Sequence, residues 1–256
     1  MPIKNTFAII GRGFIYPKHK EAIESIGGEV LDECDGLDWW GRMIKNTKAE
    51  WVVILTPNDW HYKMSLIARM NNKKVLCEKP LTLCEEKTKE LIGYGDVYTV
   101  YQLRYLPEIQ KLKEEVRESD FYNIKLNMSV HRSQEYFDSW KGNKSVSGGL
   151  LFNTGIHYFD LIVYIFGYPD KFKTEKYAEE RAEGWLEGKN YRCDWVVDLL
   201  APEDKQERSF TINNKAYDLF TKENLHKKLY QALVAGEGIT AQDALPSIRL
   251  VEQLSK

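Results

Sequence analysis

The chain has 256 residues, with 36 Lys and Arg against 38 Asp and Glu, and 43% hydrophobic residues as in ordinary globular proteins. This near balance of charge offers no basic surface, so we expect no nucleic-acid partner. No apolar run reaches the length that a membrane span or a signal peptide needs, and the four cysteines contain no Cys-x-x-Cys pair. We therefore expect a soluble cytoplasmic protein with reduced thiols, built as one large domain or two modest ones.

The first hundred residues alternate between predicted strands and predicted helices. The pattern predicts strands at 6–10, 30–34, 51–55, 74–77 and 96–103, and helices at 17–26, 64–70 and 85–91. Residues 51–55 are nearly continuous in Val, Ile and Leu, as in a strand covered on both faces. Such alternation with short turns is typical of a parallel sheet with right-handed crossovers. The sequence thus predicts an α/β Rossmann domain, a doubly wound parallel sheet, over residues 1–103.

The second part of the chain has a different pattern. Residues 121–130 alternate between apolar and polar, which is typical of a half-exposed antiparallel strand. Further strands are predicted around 171–177, 191–200 and 208–220, helices at 107–116, 149–165, 223–235 and 242–254, and a sheet edge with a loop in the charged segment 173–189. This order predicts an α+β domain with a mainly antiparallel open sheet over residues 104–256.

A glycine loop follows the first predicted strand. Gly11 and Gly13 lie between a strand and a helix, which is the context of a dinucleotide fingerprint, although Tyr16 replaces the third glycine. Asp35 ends the second strand about 20 residues on, where an acid would accept hydrogen bonds from a ribose. No arginine follows Asp35 immediately, which favours NAD over NADP. A plain turn remains the alternative for both the loop and Asp35.

Two further strand ends carry polar residues. The fourth strand runs into Cys77-Glu78-Lys79-Pro80, and the third into Thr56-Pro57-Asn58 with His61 following. Ligands of open α/β sheets bind beyond the carboxyl ends of the strands, so Lys79 is well placed to exchange a proton with a substrate. Taken alone, the Glu-Lys-Pro tripeptide would be a surface turn, and Thr56 or Asn58 could simply cap a helix.

One helix in the second part combines polar residues with apolar neighbours. Asn153, His157 and Asp160 are spaced by four and three, which places them on one helical face. A lone buried histidine is more often a satisfied core residue than a catalyst. With Asn153 and Asp160 aligned beside it, a functional role of His157 is an equal alternative. Asparagine is a poor metal ligand and no second His or Cys is near in sequence, so we expect no metal.

Together these motifs resemble the Gfo/Idh/MocA family of nicotinamide-dependent oxidoreductases. The resemblance is carried by Gly11-x-Gly13-Phe14-Ile15 with His19, Thr56-Pro57-Asn58 with His61, residues 77–81, and Gly148-Gly149-x-x-x-Asn153-x-Gly155-x-His157-x-x-Asp160. Within the family, residues 102–105, 139–142 and 151–157 are similar to the subgroup that oxidises UDP-N-acetylglucosaminuronic acid at C3. That subgroup supplies precursors of bacterial surface polysaccharides, including lipopolysaccharide. Asn153 stands where much of the wider family has Asp.

The resemblance implies a mechanism with NAD as the cofactor. Lys79 would take the hydroxyl proton as hydride leaves the carbon, and partial burial beside a cationic cofactor ring would lower its pKa toward neutrality. Glu78 would bind the cofactor ribose, and Pro80 would fix the turn, for which a cis Lys79–Pro80 bond is one means. His157 would bind the reacting hydroxyl or share the proton, and Asn153 would orient the substrate.

The resemblance also implies two sets of binding residues. The cofactor set is Gly11, Gly13, Phe14, Ile15, Asp35, Thr56, Pro57, Asn58, His61, Glu78, Lys79 and Gln102. The substrate set is Arg104, Tyr136, Trp140, Lys141, Asn143, Asn153 and Thr154, of which Tyr136 and Trp140 could equally be core. The flat antiparallel sheet predicts a homodimer or homotetramer. The alternatives are a dehydrogenase of a free sugar, inositol or polyol, and a non-catalytic dinucleotide-sensing regulator.

Overall fold

The structure, a computed structural model, describes residues 5–36, 38–219 and 224–256. Contacts divide the chain into two compact units. The first comprises residues up to 102 together with the returning segment up to Leu245, and the second comprises the residues from 103 with Pro246–Lys256. Residues 224–245, which the sequence analysis placed in the second domain, thus group with the first unit.

The first unit contains a parallel five-stranded sheet in the order β2-β1-β3-β4-β5, which confirms the predicted Rossmann topology. Its elements are β1 (Thr6–Ile10), α1 (Tyr16–Ser25), β2 (Glu29–Cys34), α2 (Trp40–Asn46), β3 (Trp51–Ile54), α3 (Asn58–Met70), β4 (Lys74–Cys77), α4 (Glu85–Tyr94) and β5 (Val97–Thr99). The helix α2 was missed by the sequence analysis, and the predicted strand 96–103 ends at Thr99.

The register of the first sheet places the ends of three strands side by side. Ile10 of β1 pairs with Ile54 of β3, and Ile54 pairs with Cys77 of β4. All of β3 is buried, as its continuous apolar sequence predicts for a central strand. The loops that follow β1, β3 and β4 therefore leave the sheet at one edge, which is where parallel sheets bind ligands.

The second unit contains a six-stranded sheet in the order β11-β10-β6-β9-β8-β7. Its elements are α5 (Pro107–Glu115), β6 (Tyr122–Ser129), α6 (Gln134–Asp138), α7 (Lys144–Ser147), α8 (Ile156–Phe166), β7 (Lys171–Tyr177), β8 (Arg181–Gly188), β9 (Tyr191–Asp198), β10 (Glu207–Ile212) and β11 (Lys215–Ala216). The pairs are antiparallel except β6 with β9. The prediction of a mainly antiparallel second sheet is confirmed.

The charged segment 173–189 was predicted as a sheet edge with a loop, and this prediction is wrong in part. Residues Arg181–Gly188 form β8, an internal strand that pairs with β7 on one side and β9 on the other. Its buried positions include Ala182 and Leu186, and its charged residues occupy the alternate face. Gly184 is required there because a Cβ would lie 2.1 Å from the Lys173 carbonyl oxygen. The buried residues of β8 are mostly small and alternate with charged ones, so the apolar period of a strand was not apparent in the sequence.

Two closing helices complete the chain, α9 (Leu225–Val234) and α10 (Ala241–Leu254). Phe220 and Glu223, at the ends of two predicted elements, lie outside the described residues. Two short connections differ from prediction: Gln102–Tyr105 forms a 3-10 helix, and the predicted helix from 149 begins as a π-helical turn at Leu151–Gly155. Within the described ranges, every helix is too short or too polar to cross a membrane.

Candidate active site

The glycine loop after β1 is closely fitted to the sheet edge. Gly11 has a φ of +97°, and a Cβ there would lie 2.7 Å from the Leu55 carbonyl oxygen, so only glycine fits. The Gly11 N–H donates to the Cys34 carbonyl at 2.9 Å, which ties the loop to the end of β2. At Gly13 a Cβ would meet nothing within 4 Å, so this side of the loop borders open space.

A carboxylate stands beside that loop. Asp35, just after β2, accepts a hydrogen bond from the Arg12 N–H at 3.3 Å. The helix α1 begins at Tyr16, the residue in place of the third glycine, and no side chain caps its first turn. Phe14 is 88% exposed and Ile15 is half-buried. A tight glycine turn, a helix start and an adjacent carboxylate fit the adenosine and pyrophosphate parts of a dinucleotide.

The turn after β3 is held to the turn after β4 by His61. This fully buried ring has Nδ1 2.6 Å from the Pro80 carbonyl oxygen and Nε2 2.9 Å from the Thr56 carbonyl oxygen. Burial lowers the pKa of His61, against smaller opposing effects of these carbonyls. A neutral His61 ring carries one N–H and donates to one of these two carbonyls at a time. A direct contact of His61 with the cofactor stays a prediction. The N-cap residue of α3 is Pro57, and capping by the side chain of Thr56 or Asn58 stays an alternative.

The turn after β4 carries Lys79, half-buried, with the Lys79–Pro80 peptide bond cis. The carboxylate of Glu78 accepts a hydrogen bond from the Lys79 backbone N–H at 3.1 Å through Oε2, and one from His19 Nε2 at 3.0 Å through Oε1. Burial alone would raise the pKa of Glu78, but the hydrogen bond and charge of His19, with Lys79 and His226, lower it to about 2. An anion thus lies next to the predicted catalytic lysine.

The residues around Glu78 form a small buried cluster that the sequence analysis did not assemble. His19, on α1, and His226, on α9, have ring centroids 4.9 Å apart, and Tyr230 is hydrogen-bonded to His19 at 2.9 Å. His226 and Tyr230 are four residues apart on an amphipathic helix, a spacing that could have indicated a shared face.

Among the described residues, His19, Glu78 and His226 are also the group whose donor atoms could approach a metal, all lying within 4.8 Å of one another. Zinc holds nitrogen and oxygen ligands at about 2.0–2.2 Å, so two ligands of one ion cannot be more than about 4.4 Å apart. His19 and Glu78 are instead hydrogen-bonded directly to each other. The arrangement is that of a hydrogen-bonded cluster.

In the second unit, the π-helical turn Leu151–Gly155 carries Asn153 and Thr154 just before His157 on α8. Single π-helical turns are frequent at functional sites. The Asn153 Nδ2 donates to the Tyr136 hydroxyl at 2.6 Å. Asn153, Thr154 and His157 are all half-buried. Two predicted substrate residues, Asn153 and Tyr136, are thus brought into direct contact.

Tyr136 also lies in a cationic setting. The guanidinium of Arg132 is 5.3 Å and the ammonium of Lys141 is 5.8 Å from the centroid of its ring. A pocket beside it is lined by Tyr136, Phe137, Lys141, Gly142, Lys144, Gly149, Leu150, Tyr177, Glu179, Glu180 and Leu199. Lys144, whose ammonium is 5.2 Å from the Tyr177 ring centroid, was missed because α7 was not predicted. Its lining combines two lysines and two tyrosines with the two acids Glu179 and Glu180.

The other predicted substrate residues are placed as follows. Trp140 is half-buried, and the Asn143 side chain accepts the Ser145 N–H at 3.0 Å, capping α7. Arg104 is buried with its fork on Asp160, so its direct contact with a substrate stays a prediction. Asp160 is buried against Arg104, whereas Asn153 and His157 are half-buried.

Comparison with protein families identifies both units. Residues 16–95 match the model described as "Oxidoreductase family, NAD-binding Rossmann fold", and residues 120–223 match "Oxidoreductase family, C-terminal alpha/beta domain". These two Gfo/Idh/MocA models together cover more than half of the chain. The chain belongs to the Gfo/Idh/MocA oxidoreductase family. Its first unit carries the NAD-binding Rossmann domain of that family.

Solved structures of family members are similar over nearly the whole chain. The WlbA (WbpB) dehydrogenase of Thermus thermophilus, in complex with NAD and α-ketoglutarate, has a TM-score of 0.89 at 26% identity, covering 98% of this chain and 95% of that one. The same dehydrogenase with NAD and UDP-GlcNAcA has a TM-score of 0.88 at 27% identity, with the same coverage.

Curated relatives match over a shorter range. They include a glucose-6-phosphate 3-dehydrogenase of Bacillus subtilis (strain 168), 25% identical over 56% of this chain and 42% of its own length. A D-glucoside 3-dehydrogenase of Escherichia coli (strain K12) is 27% identical over 50% of this chain and 38% of its own length. The match thus spans about two-fifths of these relatives.

Proposed function

We propose that this protein is an NAD-dependent dehydrogenase that oxidises a hydroxyl, at C3, of a nucleotide-linked sugar acid such as UDP-N-acetylglucosaminuronic acid. The observation that carries the proposal is the turn after β4. There Lys79 is half-buried beside an ionised Glu78, at the sheet edge where family members bind NAD. The reaction would take place in the cytoplasm and supply precursors of surface polysaccharide.

The cofactor site would be assembled in the first unit. Gly11 brings the loop close to the sheet, and the open space at Gly13 leaves room for a pyrophosphate. Asp35 would accept the adenosine ribose hydroxyls, and Glu78 would accept those of the second ribose. Bound NAD would supply the hydride acceptor, and these residues would hold and orient it.

The proton would be handled by Lys79. When its side chain is deprotonated, Lys79 is a neutral amine, which can accept the proton of the substrate hydroxyl as a general base. Glu78, anionic and hydrogen-bonded to the Lys79 backbone N–H, would keep the turn in place. His157 would bind the reacting hydroxyl or share its proton, and Asn153 would orient the sugar together with Tyr136.

The proposed substrate class rests on two supports. The first is the likeness to the Thermus thermophilus WlbA dehydrogenase bound to UDP-GlcNAcA. The second is the pocket in the second unit, where the ammonium groups of Lys141 and Lys144 lie over the rings of Tyr136 and Tyr177 and would be the groups to pair with an anionic sugar nucleotide, away from Glu179 and Glu180 in the same lining.

The substrate is tested by turnover of a panel of UDP-sugars and free sugars, followed by NADH absorbance, with Lys79→Ala as the inactive control. Turnover of UDP-N-acetylglucosaminuronic acid is expected. Activity on free sugars alone would instead favour the second candidate, a free-sugar dehydrogenase, which the curated relatives support. Adding 2-oxoglutarate to the assay tests whether it reoxidises bound NADH.

A regulator of the same fold would bind NAD and turn over nothing. It is distinguished in cells, where a regulator would tolerate Lys79→Ala but not a disrupted glycine loop. An enzyme requires both Lys79 and the loop.

We also propose that the protein is a homodimer or homotetramer. The support is the open face of the second sheet, which presents mainly charged and polar side chains on the five strands β6 to β10, among them Lys125, Glu183, Trp185, Arg192 and Glu207. Flat antiparallel faces of this kind suit pairing between subunits. Light scattering at micromolar concentration measures the mass, and a monomer would contradict the proposal.

A further inference from the structure

Three hydrogen bonds in series connect helix α9 to the turn that carries Lys79. The Tyr230 hydroxyl is 2.9 Å from His19 Nδ1, His19 Nε2 is 3.0 Å from Glu78 Oε1, and Glu78 Oε2 accepts the Lys79 backbone N–H at 3.1 Å. Tyr230 and His19 are both 0% exposed. The series therefore runs through the interior of the first unit, between residues 211 positions apart in sequence.

The charges of the partners fix the direction of these hydrogen bonds. Glu78 has a pKa of about 2 because the His19 hydrogen bond and nearby positive charge outweigh the effect of burial. An ionised carboxylate can only accept, so His19 Nε2 must carry the hydrogen that it donates to Glu78. Whenever the His19 ring is neutral, Nδ1 is then an acceptor, and the Tyr230 hydroxyl is the donor placed against it.

Tyr230 is suited to be that donor. Burial raises the pKa of Tyr230 well above its usual value, and the Glu78 charge acts in the same direction, so the hydroxyl keeps its proton. Its ring is held edge-on by Phe7, with centroids 5.7 Å apart, and the His19 ring is held edge-on by His226 at 4.9 Å. Both rings are thus packed against aromatic neighbours and shielded from solvent.

We propose that Tyr230 is a positioning residue for Glu78: together with the Glu78 charge it favours the His19 tautomer that donates to Glu78, and it thereby helps to fix Glu78 and the start of the Lys79 turn. The role of Glu78 in cofactor binding rests on the proposed function. The tautomer selection does not, because it follows from contacts within the first unit. Helix α9 thus contributes to a cofactor site whose other predicted residues, apart from Gln102, come from the first 80 residues of the chain.

The first test is structural and needs no cofactor. In Tyr230→Phe the ring volume is kept and the donor to Nδ1 is lost. Nitrogen-15 NMR of the histidine side chains, with His19 assigned by His19→Gln, is expected to show Nδ1 as an acceptor and Nε2 as protonated in the wild type. In Tyr230→Phe the His19 signals are expected to move toward the other tautomer or toward the doubly protonated ring. An unchanged His19 spectrum would overturn the proposal.

The second test measures NAD binding by calorimetry. Tyr230→Phe is expected to weaken the Kd for NAD by about 5- to 10-fold, the range of one buried hydrogen bond, with KM for NAD rising more than kcat falls. In a His19→Gln background, Tyr230→Phe is expected to have no further effect, because the two residues act in series. Additive effects of the two substitutions would contradict the proposal.

A matched control separates positioning from general loss of packing. Tyr191 is also 0% exposed and makes one hydrogen bond, from its hydroxyl to the Gly167 carbonyl at 3.2 Å, in the second unit. Tyr191→Phe is expected to reduce stability by as much as Tyr230→Phe while leaving the His19 spectrum and the NAD Kd unchanged. If the wild type does not bind NAD, the proposed function fails, while the NMR test still decides the tautomer selection.

Discussion

The guanidinium of Arg104 binds the carboxylate of Asp160 through two hydrogen bonds, Nε to Oδ2 at 2.8 Å and Nη2 to Oδ1 at 2.6 Å. Arg104 is 9% and Asp160 is 1% exposed. The Ser247 hydroxyl adds a third hydrogen bond to Oδ1 at 2.7 Å, and the Tyr164 ring lies 4.7 Å from the guanidinium carbon. The Arg104–Asp160 ion pair is therefore hydrogen-bonded and almost completely shielded from water. It links the start of the second unit to α8 and α10.

Removing the acid of this pair should destabilise the protein strongly. In Asp160→Ala the buried guanidinium keeps its charge and loses its partner, and the expected loss is about 3–5 kcal/mol in the free energy of unfolding. Urea denaturation measures it. The matched control is Glu118→Ala, which breaks the exposed Lys189–Glu118 ion pair and should leave the midpoint unchanged. Equal effects of the two substitutions would show that burial does not increase the contribution of the Arg104–Asp160 pair to the free energy of unfolding.

The open space beside Gly13 permits a clean test of the cofactor loop. In Gly13→Ala the added Cβ meets no protein atom within 4 Å, so the fold should be unaffected. The methyl group would occupy space that a pyrophosphate needs, and the Kd for NAD should weaken by about 10-fold or more, which corresponds to about 1.4 kcal/mol.

Gly93→Ala is the matched control for Gly13→Ala, because its Cβ also meets nothing within 4 Å and it lies on α4. Calorimetric titration with NAD and a thermal melt are measured on both variants. The Gly93 variant should bind NAD like the wild type. A Gly13 variant with unchanged NAD affinity would place the pyrophosphate elsewhere.

Local patterns were sufficient to predict the first unit and the motifs of the site. A buried parallel strand such as β3 is continuous in apolar residues, and each of β1, β3 and β4 is followed directly by its own polar or glycine motif. The relationships that sequence analysis missed are long-range. Tyr230 meets His19 across 211 positions, and Asp160 meets Arg104 across 56, and no periodicity within one segment specifies such a partner.

The face predicted for Asn153, His157 and Asp160 illustrates the same limit. Spacings of four and three describe a regular α-helix, but the segment begins as a π-helical turn, which changes the direction of the residues within it. Asp160 then lies against Arg104, while Asn153 donates to Tyr136. The identity of the polar residues was visible in the sequence, and their partners were not.

Lys79 should be required for turnover and dispensable for binding. In Lys79→Ala the expected loss in kcat is about 10²- to 10⁴-fold, the usual contribution of general acid–base catalysis, with a much smaller change in the Kd for NAD. In the wild type, kcat/KM for oxidation should rise with pH through one ionisation, because the base must be deprotonated. That ionisation should be absent from the residual activity of the variant. A wild-type kcat in Lys79→Ala would show that Lys79 is not the general base.

His226 should make the protein sensitive to mild acid. Burial is the largest cause that lowers its pKa from 6.5 to about 4, and the charge of His19 lowers it further while Glu78 opposes both. The charge of Lys18 also lowers it, with the smallest effect. Because the folded pKa lies below the unfolded one, the unfolded chain binds the proton more readily. The stability from a neutral His226 is therefore complete above pH 6.5 and is lost as the pH falls toward 4.

The size of this effect follows from the two pKa values. Between about pH 8 and about pH 5, titration of His226 should cost the wild type about 2 kcal/mol of unfolding free energy. His226→Phe keeps an aromatic ring and cannot be protonated, so its free energy of unfolding should fall by about that much less over the same interval. Urea denaturation of both proteins at the two pH values gives the difference. The acid-induced loss from His61 occurs in both proteins and cancels in it, and Glu78, with a pKa of about 2 in the fold, adds little above pH 5. Parallel losses in the wild type and His226→Phe would mean that His226 remains accessible to protons in the folded state.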